Sequence, residues 1–559
     1  MRDTLSKEKG TVYKEHGGRV RVCLVYPNSY SLGMTNLGFQ SVYHMLNSLD
    51  GCVCERAFMP GKEDLGEYGR TSTPLFSYET QTPVKDFDII AFSVPFEDDY
   101  VNVPRILELA GVPILSVDRA CAPLVMAGGV AVSLNPEPVA DFFDLFIVGE
   151  GEGALAPVID AFRDARGHGP GGQGILRELD RLEWVYVPSF YVFSYDGVRI
   201  TRIEALPGVK KRVRAAKLLD LGAYPLPENF ILTPASEFKD TSLVEIERGC
   251  PRGCRFCAAG FLYLPPRWRD FGAVKDAVGK GVEATGKVGL VGTAVSEYPE
   301  IKQTLSLGVE MGGAVTLSSL RLDRLDAGFV ELLKKGGYRT VTLAPEAGSE
   351  RMRWAVNKGM TDGEILDAVR LITAAGFLKI KLYFIVGLPA EVDADAEAIV
   401  ALSKRIKAEM KKGSLTLSVN PFIPKPCTPF QWHPFEREQV VDRRLSIVEK
   451  GLSKIKGVSV KTLSAREAFV QAYISRADRR AGRFIAEAAE KGWRRVIKEN
   501  LSFFEGSVYS ERGRDEPLAW DMIDHGVRKG YLWKEHQRGA RGELTPPCDV
   551  GRCFRCGVC

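Results

Sequence analysis

Residues 247–260 read ERGCPRGCRFCAAG and place Cys250, Cys254 and Cys257 in a C-x3-C-x2-C pattern. Three thiolates at this spacing can bind three irons of a [4Fe–4S] cluster. No fourth cysteine follows nearby, so the fourth iron would keep an open position for an exogenous ligand. A zinc loop is the alternative, but zinc sites prefer paired C-x2-C units with four ligands. The spacing therefore predicts an iron–sulfur site.

Strand-like and helical segments alternate around this loop. The apolar strand-like segments begin at Ser242, Lys287, Gly313, Tyr338, Phe377 and Ser414. Repeated βα units with apolar strands indicate a parallel barrel whose ligands bind at the C-terminal strand ends. Six units instead of eight predict a partial (β/α)6 barrel of the TIM type over residues 241–465.

Residues 1–165 show the same alternation upstream of the barrel. This order predicts a doubly wound parallel sheet, so the whole chain is expected to be of the α/β class. Ligands bind at the carboxyl ends of such sheets, where Gly128, Gly129 and the GEGEG segment 149–153 fall. Glycine there lets the backbone approach a ligand closely, although αβ loops also use glycine to end helices.

The cysteine pattern, with Phe256 directly before the third cysteine, resembles the signature of radical S-adenosylmethionine enzymes. The resemblance implies that the open iron binds the amino and carboxylate groups of S-adenosylmethionine. It also implies that an electron from the cluster cleaves this cofactor and releases a 5′-deoxyadenosyl radical, which takes hydrogen from the substrate. An electron donor of the flavodoxin or ferredoxin type is then the expected partner, and Phe256 belongs to the expected cofactor-binding residues.

The resemblance assigns further cofactor contacts to the ends of the second and third barrel strands. Gly292 and Thr293 resemble the glycine-rich turn that binds the methionine amino group. Ser318 and Arg321 follow the third strand and are expected at the same rim. Each residue alone has an ordinary explanation, since glycine ends strands in many folds.

The fourth and fifth strands add cofactor contacts of the same kind. Glu346 stands where the family commonly binds ribose hydroxyls, and Arg351 or Lys358 would pair with the cofactor carboxylate. Gly387 begins a Gly-Leu-Pro turn similar to the adenine-contacting turn of methylthiotransferases and elongator-type enzymes. Glu346 alone can be a helix N-terminal charge, but the ordered occurrence of these residues at consecutive strand ends favours the cofactor site.

Residues 126–155 resemble the end of the cobalamin-binding-type domain that precedes the barrel in many radical enzymes. That domain usually carries a D-x-H-x-x-G loop whose histidine binds cobalt. The corresponding residues 27–36, PNSYSLGMTN, contain neither Asp nor His, and we interpret His44 in the next helix as an interfacial histidine. A cobalamin-binding-like fold is therefore expected, while cobalamin binding stays open, since fold does not determine function.

A proline-rich segment, PFIPKPCTPFQW at residues 421–432, follows the sixth strand. Its four prolines prevent regular structure, so a rigid loop over the barrel mouth is expected. Cys427 in this loop is the candidate catalytic residue, as a thiol donor, a thiyl radical or a cluster ligand. The alternative is a buried free cysteine with a packing role.

Two less regular regions complete the chain. Residues 166–240 predict a glycine-rich linker followed by a small connecting module of strands. Residues 466–559 predict a helical C-terminal region. Four of its arginines share helix faces and can grip an RNA backbone: Arg476, Arg479, Arg480 and Arg483. The alternative is that they pack against the barrel or pair with nearby acids.

The chain ends on a second group of cysteines, with four thiols in twelve residues: Cys548, Cys553, Cys556 and Cys559. Four thiolates suit either a second iron–sulfur cluster or a structural zinc ion. Together with the barrel motifs, this tail resembles one uncharacterised radical S-adenosylmethionine family along nearly the whole chain.

Composition places the chain among soluble globular proteins. Its 559 residues are 45% hydrophobic and 26% charged, with a net charge of +4 that neither demands nor excludes RNA. The absence of a run of about 18 apolar residues predicts no membrane span. The charged N-terminal segment lacks the apolar core of a secretory signal. Seven of the twelve cysteines fall in the two groups, which favours metal binding in a cytoplasmic protein over disulfides. The oligomeric state is not predicted.

These observations predict a radical S-adenosylmethionine iron–sulfur enzyme and leave its substrate open. The first hypothesis is methyl or sulfur transfer to an RNA or a ribosome-associated macromolecule, favoured by the Gly387 turn and the basic helices. The second is radical chemistry on a small molecule or lipid. The third is an electron carrier or redox sensor, against which the open iron position argues.

Overall fold

The computed structural model describes residues 1–119, 123–167, 172–226, 230–317 and 320–559. The start of the predicted linker, residues 168–171, and the predicted cofactor-binding residue Ser318 lie outside these described residues. No helix in the described part of the chain is long and apolar enough to cross a membrane.

A predominantly parallel sheet forms the N-terminal region. Its strands are β1 (Val20–Tyr26), β2 (Cys52–Phe58), β3 (Ile89–Ser93), β4 (Leu124–Gly128), β5 (Leu145–Ile147) and β6 (Val185–Tyr186). They are ordered β2-β1-β3-β4-β5-β6, and within the described strands of this sheet only the pairing of β6 with β5 is antiparallel. All seven residues of β2 are buried, as expected for a strand that is covered on both faces. The predicted doubly wound sheet is confirmed.

Helices pack on this sheet and join its strands. They are α1 (Arg2–Leu5), α2 (Tyr30–Thr35), α3 (Leu37–Ser48), α4 (Lys62–Thr71), α5 (Asn102–Ala110), α6 (Val130–Leu134), α7 (Leu155–Gly167) and α8 (Gly172–Leu179). The connecting module follows as an antiparallel hairpin of β7 (Tyr191–Asp196) and β8 (Arg199–Ala205). A short strand, β9 (Val213–Arg214), then pairs with Ile523 and Asp524 near the C-terminus.

The barrel strands form two parallel sheets joined by a bridge between Leu320 and Leu343. The first sheet contains β10 (Ser242–Glu245), β13 (Lys287–Val291) and β14 (Ala314–Leu317), and β11 (Glu247–Arg248) pairs separately with β12 (Arg267–Trp268). The second sheet contains β15 (Val341–Glu346), β16 (Lys379–Val386), β17 (Ser414–Pro421) and β18 (Val458–Thr462). The partial barrel is confirmed, with one strand more than the six predicted. Strand β18 pairs only with β17 among the described strands and exposes Ser459, Lys461 and Thr462, so its sequence lacks the apolar run of a central strand.

Helices surround the barrel and continue into the C-terminal region. The barrel helices are α9 (Ala259–Leu262), α10 (Phe271–Thr285), α11 (Ile301–Glu310), α12 (Ala327–Lys335), α13 (Glu350–Ala355), α14 (Asp362–Ala374), α15 (Asp393–Glu409) and α16 (Glu438–Leu452). The C-terminal region contains α17 (Ala465–Arg476), α18 (Ala481–Lys491), α19 (Trp493–Glu499), α20 (Leu501–Tyr509), β19 (Ile523–Asp524) and α21 (Lys529–Arg541). This region packs on the N-terminal sheet, where the Asn135 side chain donates to the Ala477 carbonyl at 2.8 Å.

Candidate active site

The cysteine loop is a tight turn between β11 and α9. The Cys257 N–H donates to the Cys254 carbonyl at 3.1 Å, and the Gly260 N–H donates to the Cys257 carbonyl at 3.2 Å. Gly249 has a φ of +82°, and a Cβ at this position would lie 2.4 Å from the Tyr263 carbonyl oxygen. Only glycine permits this approach, so the path of the loop is set before its first cysteine.

The thiols of the loop are close enough to influence one another's charge. Burial raises the pKa of Cys250 to about 12 and that of Cys257 to about 11, and the neighbouring Cys254 adds to both shifts. Both thiols are therefore protonated at neutral pH in the metal-free protein. Because iron binds thiolates, loading a cluster here must release protons.

Two cations face these thiols. Lys358 forms an ion pair with Glu346 at 3.1 Å, and both Lys358 and Arg321 attract a thiolate at Cys254. Arg321 also attracts a thiolate at Cys250. A cluster held by three thiolates would be partly neutralised by these two side chains, so the charge around the loop suits such a group.

The chemistry of the donor set also suits an iron–sulfur cluster. Among the described residues, no three His, Cys, Asp or Glu side chains stand close enough to surround a single ion. A [4Fe–4S] cluster instead binds each thiolate through a different iron, and its usual protein ligands are cysteines. The three loop thiols are thus proposed as cluster ligands on their type and spacing.

Phe256 links the cysteine loop to the ends of two barrel strands. It packs in one apolar cluster with Ala347, after β15, and with Leu388, after β16. Glu346 and Gly387, the residues just before these two, adopt φ values of +68° and +81° where the chain turns away from its strand. The structure therefore brings three of the predicted cofactor positions to one place.

Arg351 and Lys358, the alternative partners for a cofactor carboxylate, differ in their surroundings. Arg351 is half-exposed, forms an ion pair with Asp395 and donates to the Ala390 carbonyl at 3.2 Å. Lys358 is half-buried beside Glu346 and the cysteine loop. Lys358 is thus the better placed of the two, and a role for Arg351 stays a prediction.

Glu247 is a site residue that the sequence analysis missed. Its carboxylate accepts the N–H groups of Thr293 and Ala294, and a Cβ on Gly292 would lie 2.6 Å from the same oxygen. Its second oxygen is buried and has no hydrogen-bond partner among the described residues. Burial raises the pKa of Glu247 to about 7. A carboxyl three positions before Cys250, directly beside the cysteine pattern, was the available sequence signal.

A cavity of about 540 Å³ lies between the carboxyl ends of the N-terminal sheet and the barrel. The sheet contributes Gly128, Gly129 and residues 149–152 to its wall, and the barrel contributes Glu247 and Gly292. The two glycine-rich strand ends predicted from sequence therefore face one space. The charged residues of the lining are Glu150, Glu152, Glu245, Glu247 and Arg248.

An ionic cluster joins the two sides of this cavity. Arg248 lies 2.9 Å from Glu150, 2.5 Å from Glu152 and 2.7 Å from Glu245. Arg267 binds both oxygens of Glu150 at 2.7 and 3.0 Å. Breaking such buried pairs leaves uncompensated charges, so the GEGEG loop is firmly attached to the first barrel strand. The sequence analysis missed this cluster because its members are distant in the chain.

No histidine occurs among the described residues that line this cavity. His44 lines a second cavity of about 770 Å³ together with Tyr224 and Arg269. Of the predicted loop 27–36, only Asn36 reaches the wall of the first cavity. The described lining of the first cavity therefore contains no histidine that could bind cobalt.

Cys427 has the surroundings of a packed cysteine. Its N–H donates to the Gln431 side chain at 3.1 Å, and its sulfur lies 4.0 Å from the Leu134 carbonyl oxygen. It packs against an apolar cluster that contains Trp432 and Trp520, and burial raises its pKa to about 12. These contacts match the packing alternative, and a catalytic role stays a prediction.

Three of the arginines that were candidates for RNA binding have hydrogen-bond or ion-pair partners within the protein. Arg476 is only 1% exposed, and it donates to backbone carbonyls. Arg479 forms an ion pair with Glu137 of the N-terminal region at 2.8 Å, and Arg480 pairs with Asp478 at 2.8 Å. Their partners are those of the packing and pairing alternative.

The four tail cysteines are close in the fold, although no three of them stand close enough to surround a single ion. Cys556 is buried, Cys548 and Cys553 are half-buried, and Cys559 is exposed. Burial and the charges of the other three thiols raise the pKa of Cys548.

Two family descriptions match the chain. "Radical SAM superfamily" matches residues 244–402, and "Radical SAM proteins, N-terminal" matches residues 38–188. The chain is 32% identical to the uncharacterised protein MJ0966 of Methanocaldococcus jannaschii over 469 residues, which cover 83% of this chain and 90% of that protein. It therefore belongs to the radical S-adenosylmethionine superfamily and, within it, to the family of MJ0966. It is an enzyme whose cofactors are a [4Fe–4S] cluster and S-adenosylmethionine.

The chain also has more distant similarities. An uncharacterised methyltransferase, PH0819 of Pyrococcus horikoshii, is 24% identical over 198 residues, 33% of this chain and 41% of that protein. The methyltransferase TsrM from Kitasatospora setae is similar in structure, with 14% identity, a TM-score of 0.45 and coverage of 71% and 72% of the two chains. The cobalamin-dependent radical enzyme OxsB is similar with 16% identity, a TM-score of 0.47 and coverage of 69% and 52%.

Proposed function

We propose that this enzyme methylates a small molecule held in the cavity between its two sheets. One observation carries the proposal: the carboxyl ends of the N-terminal sheet and of the barrel face the same cavity of about 540 Å³. Ligands of open parallel sheets and of barrels bind at these ends, and the volume suits a small-molecule site. The name of the Pyrococcus relative supports methyl transfer as the reaction type.

The charge of the cavity wall favours a small substrate over RNA. Four of its five charged residues are glutamates, and its one arginine, Arg248, is already paired with three of them, so the described wall offers no unpaired cation to a phosphate backbone. Three of the arginines that suggested RNA binding already have internal partners. We therefore place the RNA or ribosome hypothesis second.

Cys250, Cys254 and Cys257 are the proposed cluster ligands, and Lys358 is the proposed partner of the cofactor carboxylate. When bound, the cluster supplies the electron that cleaves S-adenosylmethionine. Lys358 and Arg321 offset the negative charge of the thiolates. Phe256 packs between the ends of β15 and β16 and forms an apolar side of the site.

Glu247 is placed to hold a proton at the cavity wall. One carboxyl oxygen is engaged by the turn that follows β13, and the other is free of described partners. With a pKa of about 7, this oxygen can donate an O–H to a ligand or accept an N–H near neutral pH.

The cavity does not suit a histidine-ligated corrinoid. The described lining residues include no histidine. A corrinoid bound here would lack a histidine ligand, and we assign no step to it.

Substrate-dependent cleavage of the cofactor tests the proposal. Anaerobically reconstituted protein is given trideuteromethyl-labelled S-adenosylmethionine with either a small-molecule fraction or an RNA fraction of a cell extract. The small-molecule fraction should raise 5′-deoxyadenosine above the substrate-free level and yield a product with the labelled methyl group.

A variant with Cys250, Cys254 and Cys257 changed to Ala should form no 5′-deoxyadenosine, whereas Cys52→Ala, in buried β2, is the matched control. Stimulation by RNA alone would overturn the substrate class, and an unlabelled product would overturn methyl transfer.

A further inference from the structure

The end of the chain folds back onto the cysteine loop. The Cys548 N–H donates to the Pro251 carbonyl at 2.6 Å. Pro251 directly follows Cys250, a proposed cluster ligand. A hydrogen bond to the residue next to Cys250 therefore connects the cysteine loop with Cys548, the first cysteine of the tail.

Asn357 holds the same two segments together. Its Oδ1 accepts the Thr545 N–H at 2.8 Å. Its Nδ2 donates to the carbonyls of Arg252 at 3.0 Å and of Gly253 at 3.2 Å. A single side chain thus spans from the loop to the start of the tail.

Arg255 attaches the loop to helix α21, which precedes the tail. Its guanidinium lies 3.1 Å from the Glu535 carboxylate and donates to the Glu543 carbonyl at 2.6 Å. The Arg255 and Glu535 side chains are 0% and 2% exposed. Separating a buried pair of this kind is strongly unfavourable, so the tail has a defined position beside the loop.

The tail itself is arranged around its thiols. Arg555 Nε donates to the Cys553 sulfur at 3.1 Å, and the Arg528 side chain donates to the Phe554 carbonyl at 2.9 Å. The Arg528 N–H donates to the carbonyl of the buried Cys556 at 2.9 Å. Four thiols, each able to bind a different iron, supply the number of ligands that a closed iron–sulfur cluster needs.

We propose that Cys548, Cys553, Cys556 and Cys559 bind a second iron–sulfur cluster that delivers electrons to the barrel cluster. A zinc clip would stabilise a chain end anywhere on the surface, whereas this tail is bound to the loop that holds the redox centre. In each cycle the second cluster accepts one electron from a flavodoxin- or ferredoxin-type donor. It is reoxidised when the electron passes to the barrel cluster, which is reoxidised in turn when S-adenosylmethionine is cleaved. The proposal rests on the radical chemistry of the barrel and not on the identity of the substrate.

Iron content and the route of reduction test the proposal. The unchanged protein should bind about eight irons, and Cys553→Ala and Cys556→Ala should each lose about four, as expected for one [4Fe–4S] centre. Cofactor cleavage is then compared with a flavodoxin-type donor and with dithionite, which reaches the barrel cluster without a relay. The ratio of donor-driven to dithionite-driven cleavage should fall in both variants, with Cys52→Ala as the control.

Asn357→Ala provides a second variant that leaves all cysteines in place. It should keep about eight irons and still lower the same ratio, because it loosens the tail from the loop. Loss of zinc with unchanged iron would overturn the second cluster. Loss of about four irons with an unchanged ratio would overturn the relay. A failed substrate assay with intact dithionite-driven cleavage would overturn the proposed function alone.

Discussion

Glu247 shows how one buried carboxyl can make the folding stability depend on pH. Burial raises its pKa from 4.5 to about 7, so between these values the folded protein binds a proton that the unfolded chain has lost. The stability contribution of this group is therefore most favourable below pH 4.5 and falls as the pH rises to 7. By linkage the loss amounts to about 3 kcal/mol of unfolding free energy.

Glu247→Gln should remove this part of the pH dependence. Urea unfolding at pH 5.5 and pH 8.5 should show a smaller stability difference for the variant than for the unchanged protein. Glu310→Gln, at an exposed position on α11, should leave the difference as it was. An equal pH dependence in Glu247→Gln would show that Glu247 does not hold a proton in the folded state.

At the scale of elements, the segment between α17 and α18 attaches the C-terminal helices to the N-terminal sheet. Arg479 binds the fully buried Glu137 there at 2.8 Å, and the Tyr186 hydroxyl donates to the same carboxylate. Arg479→Ala leaves Glu137 buried without its cation, which should cost about 3 kcal/mol of stability.

Unfolding by urea with matched RNA-binding measurements separates this structural role from RNA recognition. Arg494→Ala, at an exposed position on α19, should unfold like the unchanged protein. If Arg479→Ala instead weakens RNA binding at unchanged stability, the arginine functions in RNA binding and not in packing α18 against the N-terminal sheet.

At the scale of the whole molecule, the cavity between the sheets decides which cofactors the protein can accommodate. His44 lies outside its lining. If hydroxocobalamin binds, its visible spectrum should therefore show no histidine ligand and be identical for the unchanged protein and for His44→Ala. A titration followed by absorbance measures this, and a spectral change on replacing His44 would contradict the assignment of the cavity.

The sequence alone predicted the parallel sheet, the partial barrel and the cysteine pattern, because strand periodicity and ligand spacing are local properties of the chain. Strand β18 was missed because an exposed edge strand needs no apolar run, as Lys461 and Thr462 show. Sequence also indicated the glycine-rich strand ends, since close backbone approach leaves glycines at predictable places.

Only the tertiary structure decided which charged groups meet. Glu247 accepts the N–H of Ala294, 47 residues away, and Arg479 reaches Glu137 across 342 residues. Burial and pairing of a charge depend on such distant contacts, and they determine both its pKa and its cost. For the same reason the docking of Cys548 onto Pro251 could not be read from the cysteine spacing. The spacing specifies a set of ligands, whereas the fold specifies what lies beside them.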